Sequence, residues 1–492
     1  MILFLVNLKE RGVKAIIWDF FGKMATHGMT FIVSIFLARL LEPSDFGLIA
    51  IVMVIIGMAS VFSDVGLGGA LIQRRRVHPA HYSSVFYFNI VVGLFLTLLT
   101  YFSAPWISKF YDNELLLHLV QVMSLLFVIN AFSSVQNTRL RKELNYTLLT
   151  KISLVSSLIS GVVGISLALW GAGVWSLVAQ TLTLGIIYNI FIWIRTKWRP
   201  KLIFSWEALI QLWGFGFRMF LSGLLDAIFT RLDFLIIGKI FPLATLGYFQ
   251  RAKSLNSMVV QYSSGSLMSI LFPVLSKVKN NLPLFQNIVM KSLGILSFIT
   301  FLLLGGLYLI SEELIVLLFS DKWLPSADFF KILVLSGFGY PISALLVNVL
   351  SSRGNSKAFL RLEIYKKLIA SMSFVVLYFW GVNAFLYALI IQSTLGVSLN
   401  IVFASREINL LFFLFAKPII TQISMAIISV MITMSVAQNI EQSGIIMLII
   451  KGSIFTFLYF FLNFVMKTSS FEYFLEQVMP IIKKRFRSNV KN

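Results

Sequence analysis

Asp19, Lys23 and His27 recur every fourth residue inside a stretch that is otherwise apolar. That spacing puts them on one helix face, and Thr26, Thr30 and Ser34 extend it. A stripe this polar cannot face hydrocarbon, which offers no hydrogen-bond partners. Two arrangements satisfy it. Either Asp19 pairs with Lys23 at the membrane interface while His27 bonds a neighbouring helix, or the stripe lines a lumen in which Lys23 meets phosphate. Further along, a second charged stretch carries Arg218, Asp226, Arg231 and Asp233. Asp226 and Asp233 share a face, whereas Arg231, two residues from Asp233 at about 100° per residue, points nearly opposite. These charges cannot all line one lumen, so one set pairs between helices. Arg251 and Lys253 follow, placed either to take an anion or to snorkel to the headgroups. Arg39, Asp64 and Lys239 read as helix-end residues.

A charge within a membrane helix is costly and normally marks a substrate or ion path. Here the bases outnumber the acids, so the expected cargo is anionic. Arg donates bidentately to phosphate and stays charged when buried, which favours Arg218, Arg231 and Arg251 over the lysines. Lys23, His27 and Lys253 complete the candidate cationic lumen. Asp19, Asp226 and Asp233 are candidates for coupling to H+ or Na+, the alternative for Asp226 being an ion pair with Arg231 or Lys23.

The elements that position these residues follow from composition. The chain is 58% hydrophobic and 12% charged, with a mean hydropathy of +0.89. A span needs about 20 apolar residues. Dividing the apolar runs accordingly gives about fourteen spans, near 16–41, 45–72, 83–107, 115–138, 148–170, 173–194, 214–240, 246–275, 288–310, 327–352, 360–380, 383–404, 414–436 and 444–466. The predicted fold class is therefore all-α integral membrane. Met1–Leu8 is apolar but short and no small-residue cleavage site follows, so the first span is expected to be retained.

The net charge of +21 raises nucleic acid as a partner, but its distribution argues for topology. Lys and Arg cluster in alternate connections, including Arg74–Arg76, Arg139 to Lys151 and Arg195 to Lys201, and in the tail Lys483–Arg487. Cytoplasmic loops carry such an excess, which places both termini in the cytoplasm of a multi-pass protein. The tail is expected to touch anionic membrane lipids, not nucleic acid. Connections are short, the longest outer one running from Ser311 to Ala327. A membrane glycan polymerase or ligase would need a large loop with Arg or His, and none is present. The sequence has no phosphate-cradling Gly-x-x-x-x-Gly-Lys-Ser/Thr. With four His and no Cys, no metal site is expected, and His78–His81 sit in a basic, proline-containing loop. The glycines at 66, 68 and 69 follow a helix pattern instead of a strand, so no dinucleotide fold is implied. The expectation is a transporter without cofactor, not an enzyme.

Internal repetition is the second signal. Arg39 and Gly47 are eight residues apart, as are Lys239 and Gly247. Phe110-Tyr111-Asp112 matches Phe319-Ser320-Asp321, and Trp170-Gly171 matches Trp380-Gly381, all at an offset of about 200–210 residues. Six spans separate the copies, so both halves share one orientation, as in parallel-repeat transporters. The expected architecture is two pseudo-symmetric six-helix lobes, 1–200 and 201–410, with a C-terminal helical hairpin and basic tail at 411–492.

Ala38 to Gly47, Phe62-Ser63-Asp64-Val65-Gly66 and, in the second half, Arg231 to Gly238 and Leu246-Gly247-Tyr248-Phe249 resemble the Wzx-type polysaccharide flippases, in the branch of the colanic-acid and succinoglycan exporters. These belong to the MATE-like multidrug/oligosaccharidyl-lipid/polysaccharide superfamily. The resemblance covers roughly residues 10–420 and implies translocation of undecaprenyl-pyrophosphate-linked oligosaccharide across the bacterial inner membrane by alternating access. It also implies a place beside polysaccharide polymerase and chain-length proteins. The alternative of a multidrug cation antiporter would want an acidic cavity.

Overall fold

The computed structural model describes the backbone of residues 2–440 and 444–489; the side chains of 2–17, 19–20, 215, 218–219, 222, 261–270, 356, 478 and 481–489 lie outside the description. No strand occurs among the described residues. The chain divides into two compact units, Met1–Gly247 and Tyr248–Asn492.

In the first unit α1 (Ile2–Leu40) is followed by three pieces, α2 (Pro43–Ala59), α3 (Val61–Asp64) and α4 (Leu67–Gln73). Then come α5 (Pro79–Tyr111), α6 (Leu115–Met123), α7 (Leu125–Lys142), α8 (Tyr146–Leu169), α9 (Val174–Arg195) and α10 (Trp206–Ile240). Helix starts are written locally. Glu42 N–H donates to Asp45 Oδ2 at 3.1 Å just before Pro43, a residue suited to the first helical position because it lacks only an unused donor. Asn145 and Ser205 cap α8 and α10 by accepting from Leu148 N–H at 3.3 Å and Ala208 N–H at 3.2 Å.

The expected second span is broken. Val65 and Gly66 are left-handed at φ 45° and 72°, and a Cβ on Gly66 would lie 2.3 Å from Gly216 O on α10. Two backbones therefore meet where only glycines fit. Asp64, read from the sequence as a helix-end residue, ends α3 and caps the start of α4. It accepts from Gly68 N–H at 2.9 Å and from Asn89 Nδ2 at 3.4 Å. Apolar periodicity cannot reveal such a break, because the residues on both sides are equally hydrophobic.

The second unit holds α11 (Leu243–Val278), whose first turn belongs to the first unit, and α12 (Leu282–Leu309). It continues through α13 (Ser311–Phe319), α14 (Leu324–Ser336), α15 (Gly339–Arg353), α16 (Ser356–Glu407), α17 (Phe412–Ala437), α18 (Gly444–Val465) and α19 (Ser469–Asn489). α16 is two helices in one run, since Gly381 is non-helical at φ 84°, ψ −178°. Its repeat counterpart, Gly171, sits at φ 80°. The C-terminal hairpin is fastened to α12 by a buried polar network. Gln422 Nε2 donates to Asn463 Oδ1 at 2.8 Å, and Tyr459 OH lies 2.6 Å from Gln422 Oε1 and 3.1 Å from Phe298 O.

Among the described residues, eleven helical segments are long and apolar enough to cross a membrane, one of them being the interrupted run 357–407. α10 and α11 carry Arg218, Asp226, Arg231, Asp233, Arg251 and Lys253. The repeat glycines meet reciprocally. A Cβ on Gly47 would lie 2.0 Å from Leu243 O, and one on Gly247 would lie 1.9 Å from Pro43 O. Residues offset by 200 thus exchange contacts, the mark of a local two-fold relation between the starts of α2 and α11. Lys239, expected to anchor its helix end, bonds Asp112 Oδ2 at 2.9 Å and lies over the Phe110 ring.

Candidate functional site: a cationic cleft in the N-terminal unit

Small residues bring α1 against α8. A Cβ on Gly22 would lie 2.0 Å from Thr150 Oγ1, and one on Gly161 would lie 2.5 Å from Val33 Cγ2. Close approach of this kind is how membrane helices associate when hydrophobicity gives no preference between lipid and protein. Opposite them, α9 is zipped to α7. Asn189 Nδ2 donates to Ile129 O at 2.8 Å, Trp193 Nε1 donates to Phe132 O at 3.1 Å, and Tyr188 OH bonds Asn137 Oδ1. The four helices leave a cleft of ≈ 330 Å³ lined by Lys23, His27, Asn137, Arg141, Thr150 and Tyr188 among others.

Among the described residues its chemistry is one-sided: Lys23, His27 and Arg141 supply positive or protonatable nitrogen, and no described carboxylate lines the cleft. Thr26, Tyr146, Thr150, Ser153 and Tyr188 add hydroxyls, and Asn137 an amide. Cations with hydroxyls suit a phosphate joined to a sugar: guanidinium and ammonium bind the phosphate oxygens, and hydroxyls exchange hydrogen bonds with a polyol. The size lies at the small end of ligand sites.

The stripe on α1 therefore delivers Lys23 and His27 to one cavity, as its spacing implies. The other candidates lie elsewhere. Arg231 donates to Met53 O at 2.9 Å, its guanidinium filling the notch left by Gly57, where a Cβ would lie 1.9 Å from Nη1. It joins α10 to α2. Arg251 is buried, 5.2 Å from the Phe319 centroid and 5.5 Å from that of Trp323. Lys253 lies over the Phe249 ring. Asp233 is buried and accepts from Phe234 N–H at 3.0 Å, and Asp226 is exposed. Asp19 and Arg218 lie outside the residues whose side chains are described. Among the described residues no group of His, Cys, Asp and Glu could hold a metal.

Arg141, Asn137 and Tyr188 escape the sequence reading. Arg141 falls in a basic connection read as topology, yet it follows Asn137 by four residues on α7, a spacing that puts both on one face.

A second, apolar cavity of ≈ 670 Å³ lies in the C-terminal unit, lined by residues such as Phe301, Leu335, Phe338, Ile401, Ile419 and Met431. It suits an alkyl or polyprenyl chain.

Arg231 and Gly57 support one specific expectation. Arg231→Ala removes a charge-assisted hydrogen bond, costing about 1.5–3 kcal/mol. Gly57→Ala evicts the same guanidinium and should cost about as much. The double variant should be no worse than either single one. Thermal melts of the purified protein check this, and additive losses would refute the notch.

Comparison with known proteins places the chain. A profile described as polysaccharide biosynthesis protein matches residues 36–328. The teichuronic acid biosynthesis protein TuaB of Bacillus subtilis (strain 168) is 27% identical over 283 residues, 57% of this chain and 58% of that protein. The succinoglycan biosynthesis transport protein ExoT of Rhizobium meliloti (strain 1021) is 24% identical over 306 residues, 62% of each chain. The matches thus span less than two thirds of these relatives. Among solved structures, the lipid II flippase MurJ in an inward closed conformation superposes with a TM-score of 0.71 at 15% identity, covering 93% of this chain and 100% of that one. The fold is the all-α, MATE-like membrane fold.

Proposed function

The chain belongs to the polysaccharide biosynthesis protein family, and from that premise we propose that it moves an undecaprenyl-pyrophosphate-linked oligosaccharide from the cytoplasmic to the outer leaflet of the bacterial inner membrane. The observation that carries this reading is the cleft where Lys23, His27 and Arg141 converge with hydroxyls. The diphosphate sits against the three bases and the first sugars against the hydroxyls. The apolar cavity of the C-terminal unit is a resting place for part of the polyprenyl chain. A multidrug cation antiporter would want an acidic cleft, and apart from its tyrosines the described titratable residues of this one, Lys23, His27 and Arg141, are basic.

Six-helix lobes 1–200 and 201–410, related by the repeat, rock against one another in alternating access, and 411–492 forms the appended hairpin and tail. Arg251 and Lys253 receive the diphosphate in the outward state. Asp19, Asp226 and Asp233 are the sites at which H+ or Na+ would couple to transport. Lipid-linked oligosaccharide is the substrate partner, with polysaccharide polymerase and chain-length proteins downstream.

Deleting the gene should make lipid-linked oligosaccharide accumulate, and restoring the wild-type chain should clear it. Normal turnover of that lipid in the deletion strain would refute the function. Topology is tested separately. The chain has no cysteine, so single cysteines can be placed at positions 75, 112, 322 and 486. Impermeant reagent should label 112 and 322 from outside, and the reverse pattern would overturn the fourteen-span, termini-inside arrangement.

A further inference from the structure

Across the α7–α8 turn from the cleft lies a separate polar pocket of ≈ 250 Å³, lined by Gln136, Arg139, Glu143, Asn145, Arg195 and Lys197, with Trp198 at its edge. We propose that this pocket binds a phosphate ester that also carries hydroxyls, as a phosphoglycerol headgroup does, at a site distinct from the transport cleft.

Gln136 is the first reason. It is 1% exposed, and neither its Oε1 nor its Nε2 has a hydrogen-bond partner. Buried amides are almost always paired. An unmet donor beside an unmet acceptor fits a ligand that offers an oxygen to Nε2 and a hydroxyl to Oε1. Charge is the second reason. Arg139 is already held, bonding Glu143 Oε1 at 3.1 Å and stacked 5.4 Å from the Tyr82 centroid and 5.8 Å from that of Trp198. Arg195 and Lys197 are exposed and have no ion-pair partner among the described residues. Three cations thus face one carboxylate. The third reason is that the rim is built. Arg199 donates to Thr196 O at 2.8 Å and Trp193 O at 2.9 Å, holding the segment after α9 that supplies Lys197 and Trp198 to the lining. Basic pockets between helix ends with an aromatic at the edge are how membrane proteins hold anionic headgroups.

A phosphate coordinated by Arg195 and Lys197, with an adjacent hydroxyl donating to Glu143, fits the charge of the lining, and a turn of the Gln136 amide toward it would give that buried side chain the partner it lacks. The same chemistry occurs on a phospholipid and on a soluble phosphate ester, so the test has an arm for each.

The full-length protein in detergent is titrated with phosphatidylglycerol, phosphatidylcholine or glycerol 3-phosphate, and retained ligand is read by native mass spectrometry. Phosphatidylglycerol or glycerol 3-phosphate should bind in preference to phosphatidylcholine. Arg195→Ala/Lys197→Ala should weaken that binding about tenfold or more, and the basic pair variant Arg75→Ala/Arg76→Ala should not. Which of the two ligands responds identifies the source. Gln136→Leu removes the unmet amide, so Tm should rise while binding falls. Binding of neither ligand, unchanged binding in Arg195→Ala/Lys197→Ala, or an equal loss in Arg75→Ala/Arg76→Ala would overturn the site. So would a Gln136→Leu variant that gains stability and binds as wild type, which would mean that the amide is merely hydrated.

Discussion

Replacing Lys23 and Arg141 together with alanine is expected to abolish glycan export while the protein still accumulates in the membrane. Both side chains are exposed within the cleft, so their loss leaves packing intact. Each charge-assisted hydrogen bond to phosphate is worth about 1.5–3 kcal/mol. Losing both should weaken substrate binding by roughly 10²–10⁴-fold. Lys23→Arg should be tolerated better than Lys23→Ala, because the charge is kept. His27→Ala should be milder, since an imidazole presents fewer donors to phosphate than a guanidinium or an ammonium. Surface glycan and membrane-bound protein are measured in the same cells. Wild-type export in the double variant would leave the cleft without a role in transport.

Gly47→Val and Gly247→Val are expected to prevent accumulation of folded protein. In each case the new side chain meets a backbone carbonyl, Leu243 O or Pro43 O, at about half the normal contact distance. A flexible side chain could move aside, but a helix start cannot without displacing its neighbour. The cost should reach about 3 kcal/mol or more, the upper end for overpacking. Gly28→Val is the control, because nothing lies within 4 Å of a Cβ there. Fluorescence-detected chromatography of the detergent-solubilised variants separates the cases. Equal yields from Gly47→Val and Gly28→Val would contradict the reciprocal contact.

How much of this was legible in the sequence depends on the kind of signal. Hydropathy located the long apolar helices, since burying a backbone in lipid leaves no other structure, but not α13 or α19, which fall in segments read as a connection and a tail. The repeat placed Gly171 opposite Gly381, and both take the same left-handed φ. It also paired Gly47 with Gly247, whose contacts are reciprocal. The break at Val65–Gly66 was not legible, because it is set by α10 crossing close at Gly216, a tertiary cause. The site divides in the same way. Lys23 and His27 share a face through local periodicity, and the cleft receives both. Arg231 and Arg251 carry the same charge but meet a carbonyl and two aromatic rings. Which partner a cation meets depends on the neighbouring helix, and its own spacing is silent on that. Arg141 was hidden for the opposite reason: a basic residue at a helix end looks like topology until the fold brings α1 beside it.

The most direct measurement is transport by the purified chain in liposomes, using a fluorescent polyprenyl-pyrophosphate oligosaccharide and an enzyme outside that acts only on sugar exposed there. Wild-type protein should expose the inner-leaflet pool to the enzyme, and the Lys23→Ala/Arg141→Ala variant, equally folded and inserted, should leave it protected. Equal exposure by both would contradict a flippase that works through this cleft.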